Sequence, residues 1–257
     1  MATLDKVIVD AMRDGQSSRR SYSQYCAIAR ALDLVGERWT LLLVRELLLG
    51  PMRYADLLDD LPGIGTNLLA RRLQDLEEAG IVERQVLPRP ARSTVYALTR
   101  QGQLLEPAIV ALGRFGGRWL PEHPGSEQFR PRWAVTGLKH TFRPDQAPKK
   151  ARSYQLELDD ETFHVCVKHG TLIASQGPAP DPDVIIDTTA LALLDLLGGH
   201  RTVRQALRGT VQVRIPDKVA STAPRDAKIQ ALEEFVSMFG WGRSRSRHRD
   251  SVVAGSA

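Results

Sequence analysis

Sulfur chemistry is nearly absent from this chain. Its 257 residues hold two cysteines, Cys26 and Cys166, too few and too far apart for a disulfide framework or a thiolate zinc site. Each is expected to be a separate thiol in a reducing compartment. Long apolar runs are also missing: nothing approaches the roughly 20 residues that cross a bilayer. The opening MATLDKVIVDAMRDGQSSRR is interrupted by Asp5, Asp10 and Asp14 and does not read as a signal peptide, so cytoplasmic residence is the expectation. There is no phosphate-binding glycine loop, no GxSxG and no HExxH. Asp181 and Asp183 flank Pro182 in a loop, and paired carboxylates need a pocket before acid-base chemistry is credible. His164, Cys166 and His169 come nearest to a metal set, but a half-exposed strand face and a turn histidine explain them equally well. The expectation is a protein that is not an enzyme and carries no metal and no cofactor.

What is present describes an ordinary globular chain, 42% hydrophobic and 25% charged, long enough for two modest cores. The net charge of +5 is unevenly spread. Residues 1–121 carry 16 basic against 14 acidic side chains, residues 122–239 carry 15 against 15, and the end GWGRSRSRHRDSVVAGSA carries four against one. Global basicity is therefore weak evidence for nucleic acid. The tail reads as solvated disorder, with nonspecific phosphate attraction as the alternative.

In QYCAIARALDLVGERWTLLLVRELLLG the apolar residues recur at helical spacing on both sides of Gly36, which indicates two helices. Gly50-Pro51 ends the second, and MRYADLLDDL supplies a third with Tyr54, Leu57, Leu58 and Leu61 on one stripe. After the break at Pro62-Gly63, the segment TNLLARRLQDLEEA buries Leu69, Leu73 and Leu76 and turns Asn67, Arg71, Gln74 and Glu78 outward. Gly80 suits the left-handed residue that closes a helix. IVERQV and TVYAL then alternate on either side of LPRPARS, as two antiparallel strands with a loop of about seven residues would. QLLEPAIVALGRFGGRWL gives a further helix, whose stripe of Leu105, Ala108, Ile109, Leu112, Phe115 and Trp119 suits burial against a second subunit.

Two short helices joined by a tight turn, the second polar along its leading face, match the helix-turn-helix, and the appended hairpin makes the winged form. A helix end fits the major groove and its free amides favour phosphate. Thr66, Asn67, Ala70, Arg71 and Gln74 are the candidates for base edges or backbone, and Arg89 and Arg92 at the hairpin tip for phosphates or the minor groove. Winged helices also serve as protein-interaction modules, so pattern alone leaves that alternative open.

The segment from Cys26 to Gly102 resembles the HxlR family of bacterial winged-helix transcription regulators, close to the MarR type. The matching features are the Cys26 start, Gly36-Glu37-Arg38-Trp39-Thr40, Arg53-Tyr54, Pro62-Gly63-Ile64 and the Leu-Glu-Glu-Ala-Gly run ending at Gly80. The likeness covers residue 25 to about 120. It departs at Ala27, where proline often follows the cysteine, and at Gly65, where serine usually opens the recognition helix. Glycine is an acceptable N-cap. The resemblance implies homodimers on palindromic double-stranded operator DNA, with the first and last helices of this domain forming the dimer. It also gives Cys26 two readings: a redox or electrophile sensor with a lowered pKa, or a small apolar residue of the dimer core.

The second half has mixed α and β character. Tyr154 to Leu158 alternate, Phe163, Val165 and Val167 share one face of the next strand, and VIIDT and VQVRI give further strands. Helices are expected at Ala190–Leu197, in RTVRQALRG and in AKIQALEEFVSMFGW. The order of these elements resembles the sterol-carrier-protein-2 fold, a sheet covered by helices around an apolar cavity. That implies an apolar small-molecule effector without assigning any ligand-binding residue.

The expected organisation is a flexible arm over 1–21, a mainly α winged helix-turn-helix domain over 22–121, a linker over 122–132, an SCP2-like α+β domain over 133–241 and a disordered basic tail over 242–257. The expected function is a sequence-specific DNA-binding regulator. The alternative is a lipid or small-molecule carrier whose winged helix serves dimerisation or protein contact.

Overall fold

A computed structural model describes residues 21–88, 92–121, 123–216 and 226–240. Residues 1–20 of the arm expected over 1–21, the whole tail expected over 242–257 and Arg89 in the hairpin loop lie outside the described residues. Contacts divide the chain into two compact units, residues 1–109 and 110–257.

In the first unit, α1 (Ala27–Val35) and α2 (Thr40–Leu47) meet at the expected corner. Gly36 caps α1 and donates to the Leu32 carbonyl. Trp39, the N-cap of α2, has a left-handed φ of 79°. Strand β1 (Met52–Arg53) follows, then α3 (Tyr54–Asp60). Helical spacing assigned Met52 and Arg53 to the third helix. They instead pair with Tyr96 and Val95, because a sheet edge close in space offers their backbone groups partners that an extra helical turn would not.

Helix α4 (Thr66–Glu78) occupies the segment expected for recognition. It ends on Gly80, at φ 66°. Gly80 donates to the Glu77 carbonyl and Ile81 to the Leu76 carbonyl, both at 2.9 Å, which satisfies carbonyls left over at the helix end. Strands β2 (Val82–Val86) and β3 (Thr94–Leu98) form the wing in the expected register, with the three-stranded order β1-β3-β2. The alternation in β2 does not mark a buried face along its length, since beyond Val82 the strand is exposed.

The core of this unit gathers Leu43 and Leu47 of α2, Leu57 of α3, Leu69, Leu73 and Leu76 of α4, Val82, Tyr96 and Leu98 of the wing, and Ile109. Each fully buried leucine contributes about 1.5–3 kcal/mol relative to exposure. At the base of the wing, the Thr99 hydroxyl donates to the Gly80 carbonyl at 2.6 Å and accepts from the Gly102 amide at 3.1 Å. Gly102 is tightly packed there, as a Cβ would lie 2.1 Å from the Ile81 carbonyl oxygen. The single long helix expected after the wing is broken into α5 (Arg100–Gln103), α6 (Glu106–Gly116) and a 3-10 turn at Gly117–Trp119.

The second unit holds α7 (Pro131–Thr141), β4 (Arg152–Leu158), β5 (Glu161–Lys168), β6 (Thr171–Gln176), β7 (Val184–Thr188), α8 (Ala190–Leu197), α9 (Val203–Leu207), β8 (Gln212–Arg214) and α10 (Ala227–Ser237). The linker expected over 122–132 includes Pro131 and Arg132, but they open α7. Proline is preorganised for the first helical position, where its missing N–H costs nothing. The five strands follow the order β6-β5-β4-β7-β8, parallel between β4 and β7 and antiparallel elsewhere. Tyr154, Leu156, Leu158, Phe163, Val165, Val167 and Ile186 are sealed on one face. Phe235 of α10 packs edge-on to Tyr154, with ring centroids 5.1 Å apart.

Candidate nucleic-acid interface

Helix α4 divides its residues as the recognition helix of a winged helix must. Leu69, Leu73 and Leu76 are buried, while Thr66, Asn67, Ala70, Arg71 and Gln74 are all exposed. Its first turn carries no acidic residue that would repel phosphate, and its N-cap Gly65 leaves the leading amides without a side-chain acceptor. Gln74 donates to Glu78 at 3.0 Å, so that side chain is preordered along the helix.

The helix is tied to its neighbours by polar contacts. Tyr54 of α3 donates from its hydroxyl to the Thr66 carbonyl at 2.6 Å, fixing the start of α4 to the preceding helix. Arg84 of β2 donates to Glu77 at 2.7 Å and lies over the Tyr96 ring, 5.4 Å from its centroid. The hydrogen bond to Glu77 raises the Arg84 pKa. Arg84 is thus occupied in joining wing to helix. Of the two arginines expected at the wing tip, Arg92 is exposed with a φ of 23°.

Sequence reasoning missed Tyr54, Arg72 and Arg84, because a tethering side chain has the same spelling as a solvated one. Tyr54 enters the sequence pattern as part of an apolar stripe and of the Arg53-Tyr54 family feature, neither of which marks a tether, and Arg72 stands beside Arg71 with nothing in the pattern to tell them apart.

Cys26 is exposed at the N-cap of α1. The backbone amide of Ala29 first, and then that of Ile28, lowers the pKa of the thiol. The segment before it is held by Asp33, which accepts from the Ser21 hydroxyl at 3.0 Å and the Tyr22 amide at 2.9 Å. Exposed apolar side chains accompany it on α1, Ile28 and Leu32 among them, and Leu112, Phe115 and Trp119 are exposed around α6.

In the second unit, His164 and Cys166 share the half-buried face of β5, and His169 sits in the following turn with φ 50°. The His164 ring meets the Ser153 hydroxyl at 3.1 Å. Among the described residues no group of three His, Cys, Asp or Glu side chains is placed to hold a metal ion. No helix among them is long and apolar enough to cross a membrane.

Residues 34–124 match the HxlR-like helix-turn-helix family. An HTH-type transcriptional regulator of Synechocystis is 38% identical over 97 residues, covering 38% of this chain and 72% of the relative. This chain belongs to the HxlR family. A second relative, an HTH-type transcriptional regulator of Mycobacterium tuberculosis, is 31% identical over 156 residues, which is 61% of this chain and 85% of the relative. The HTH-type transcriptional regulator YodB of Bacillus subtilis is 41% identical over 76 residues, 30% of this chain and 68% of the relative. The protein is accordingly a DNA-binding transcriptional regulator of the HxlR type. The exposed face of α4 is the candidate surface for that activity.

Proposed function

We propose that this regulator reads a specific double-stranded operator as a homodimer in the cytoplasm, with Thr66, Asn67, Ala70, Arg71 and Gln74 at the major groove and Arg89 and Arg92 on the backbone or minor groove. The observation that carries this reading is the exposed, acid-free leading face of α4, opposite its buried leucine stripe. The exposed apolar residues of α1 and α6 support dimerisation, because apolar patches of that kind mark interaction surfaces. The effect of such a protein is regulatory rather than catalytic.

Electrophoretic shift with DNA from upstream of its own gene and with scrambled DNA tests the reading. Arg71→Ala is expected to weaken the specific complex by about 1–3 kcal/mol, and Arg92→Ala to weaken both complexes alike. Equal losses for both variants on all sequences would remove Arg71 from base reading.

Two further readings have their own support. The low-pKa, exposed thiol of Cys26 favours redox or electrophile sensing, and Cys26→Ser is then expected to abolish diamide-induced release of DNA. The one-sided five-stranded sheet of the second unit favours an SCP2-like domain that takes an apolar effector. That reading fails if apolar ligands neither bind nor change operator affinity.

A further inference from the structure

Arg71 and Arg72 are adjacent in the recognition helix, and composition would send both to DNA. The structure separates them. Arg71 is exposed beside the other leading-face residues. The Arg72 side chain is only 12% exposed, and its guanidinium is forked between two carboxylates. Nη1 donates to Asp75 at 2.9 Å and Nη2 to Glu37 at 2.7 Å. Its Nε is enclosed with no hydrogen-bond partner among the described residues, so the group is held there by the two carboxylates.

Asp75 lies on α4 itself, but Glu37 belongs to the corner between α1 and α2. The fork therefore joins the recognition helix to a separate element. Trp39 lies in that corner too. Trp39 holds its left-handed backbone, and its ring would meet a Cβ built on Gly63 at 3.7 Å, so it packs beneath the turn that leads into α4. The leucine stripe keeps α4 against the core and decides which face it turns inward, but apolar burial carries no directional preference of its own for the finer aim of the outward face. Directional bonds do what burial does not: Tyr54 holds the first residue of α4, and Arg72 holds it near its middle.

We infer that Arg72 is a positioning residue, whose fork to Glu37 and Asp75 sets the roll of α4 and so aims Arg71 and Gln74 at base edges without itself touching DNA. The inference rests on α4 being the operator-reading helix. Functional constellations tolerate about 10–20° of misdirection, so a small roll is enough to cost base discrimination while phosphate attraction survives.

The test uses the full chain and a duplex selected on it from a random pool, with a scrambled duplex of equal composition. Dissociation constants for both duplexes are measured across a salt series, alongside melting temperatures, for the unsubstituted protein, Glu37→Gln, Arg72→Gln and Arg72→Lys. All three variants are expected to lose about tenfold or more in discrimination, with scrambled-DNA affinity within about threefold and the salt slope unchanged. Lysine is expected not to rescue, because it keeps the charge but not the planar fork. A salt slope reduced by about one in Arg72→Gln, with equal losses on both duplexes and recovery by lysine, would make Arg72 a phosphate contact and overturn the proposal. A lower melting temperature with discrimination intact would overturn it too, as would an inert Glu37→Gln. Failure of the unsubstituted protein to discriminate any duplex would overturn operator reading by α4, and this proposal with it.

Discussion

The side chains that decide this molecule's behaviour differ less in type than in what holds them. Arg71, Arg72 and Arg84 are chemically identical. One is open to solvent, one is forked between Glu37 and Asp75, and one bridges helix to wing. Cys26 and Cys166 differ in the same way. Cys26 receives helix N-terminal amides that stabilise its thiolate, whereas Cys166 is a half-buried residue on a strand. Alkylation of Cys26 by iodoacetamide is therefore expected to follow a pH profile with its midpoint below the ordinary thiol value of 9.0. It is also expected to outpace Cys166 at neutral pH. Mass-spectrometric rates for the two peptides check both points, and a midpoint at or above the ordinary value would remove the amide effect.

At the scale of elements, β4 and α10 are joined by a polar cluster at the margin of an apolar core. Glu234 accepts from the Tyr154 hydroxyl at 2.8 Å and from Arg152 Nε at 2.9 Å. Burial first, and the Glu234 carboxylate next, push the Tyr154 pKa far above its ordinary value of 10.0. The folded state holds the phenol proton more tightly than the unfolded chain does. The stability it contributes is thus fully present below pH 10 and lost as pH climbs above it. Tyr154→Phe is expected to lose about 1.5–3 kcal/mol at neutral pH, the worth of a hydrogen bond to a charged group. It is also expected to show a shallower alkaline decline than the unsubstituted protein. Denaturant midpoints at pH 7 and above pH 10 test this, and parallel declines would refute it.

How far the elements were legible follows from the kind of signal each carries. Helix α4 announces itself because its leucines keep helical spacing and Gly80 supplies the left-handed stop, and the wing because VERQV and TVYAL flank proline-rich chain. Those are local patterns. Strand β1 is two residues whose conformation is decided by Tyr96 and Val95, more than forty positions away, and no local period reveals it. Helix α7 escaped because Pro131 reads as a breaker unless its place at the helix start is known. Seven of its residues are buried, Arg132 and Lys139 included, so its buried face is not spelled by apolar residues alone. The Arg72 fork is illegible for a third reason: a tether across 35 residues depends on tertiary geometry alone.

For the whole molecule, the exposed apolar residues of α1 and α6 are the surface assigned to the proposed pairing of two copies. Phe115 and Trp119 lie with ring centroids 4.8 Å apart and remain exposed, and Leu112 shares their helix surface. Phe115→Glu is expected to shift the sedimentation coefficient from dimer toward monomer and to cost operator affinity about a hundredfold or more, because two half-sites no longer bind as one. A variant that sediments as the unsubstituted protein would place the dimer contact elsewhere.

The central pairing of the five-stranded sheet has a consequence in time. Strand β4 has its neighbour β5 on one side, but on the other it pairs in parallel with β7, which the chain reaches only after the whole β5–β6 hairpin. Closing that crossover pays its loop entropy before any ladder bond is returned, whereas the wing closes through a seven-residue loop. During synthesis, the winged-helix half of the chain can finish its hairpin while the middle strand of the other half, already paired with β5, still waits for β7 on its second edge.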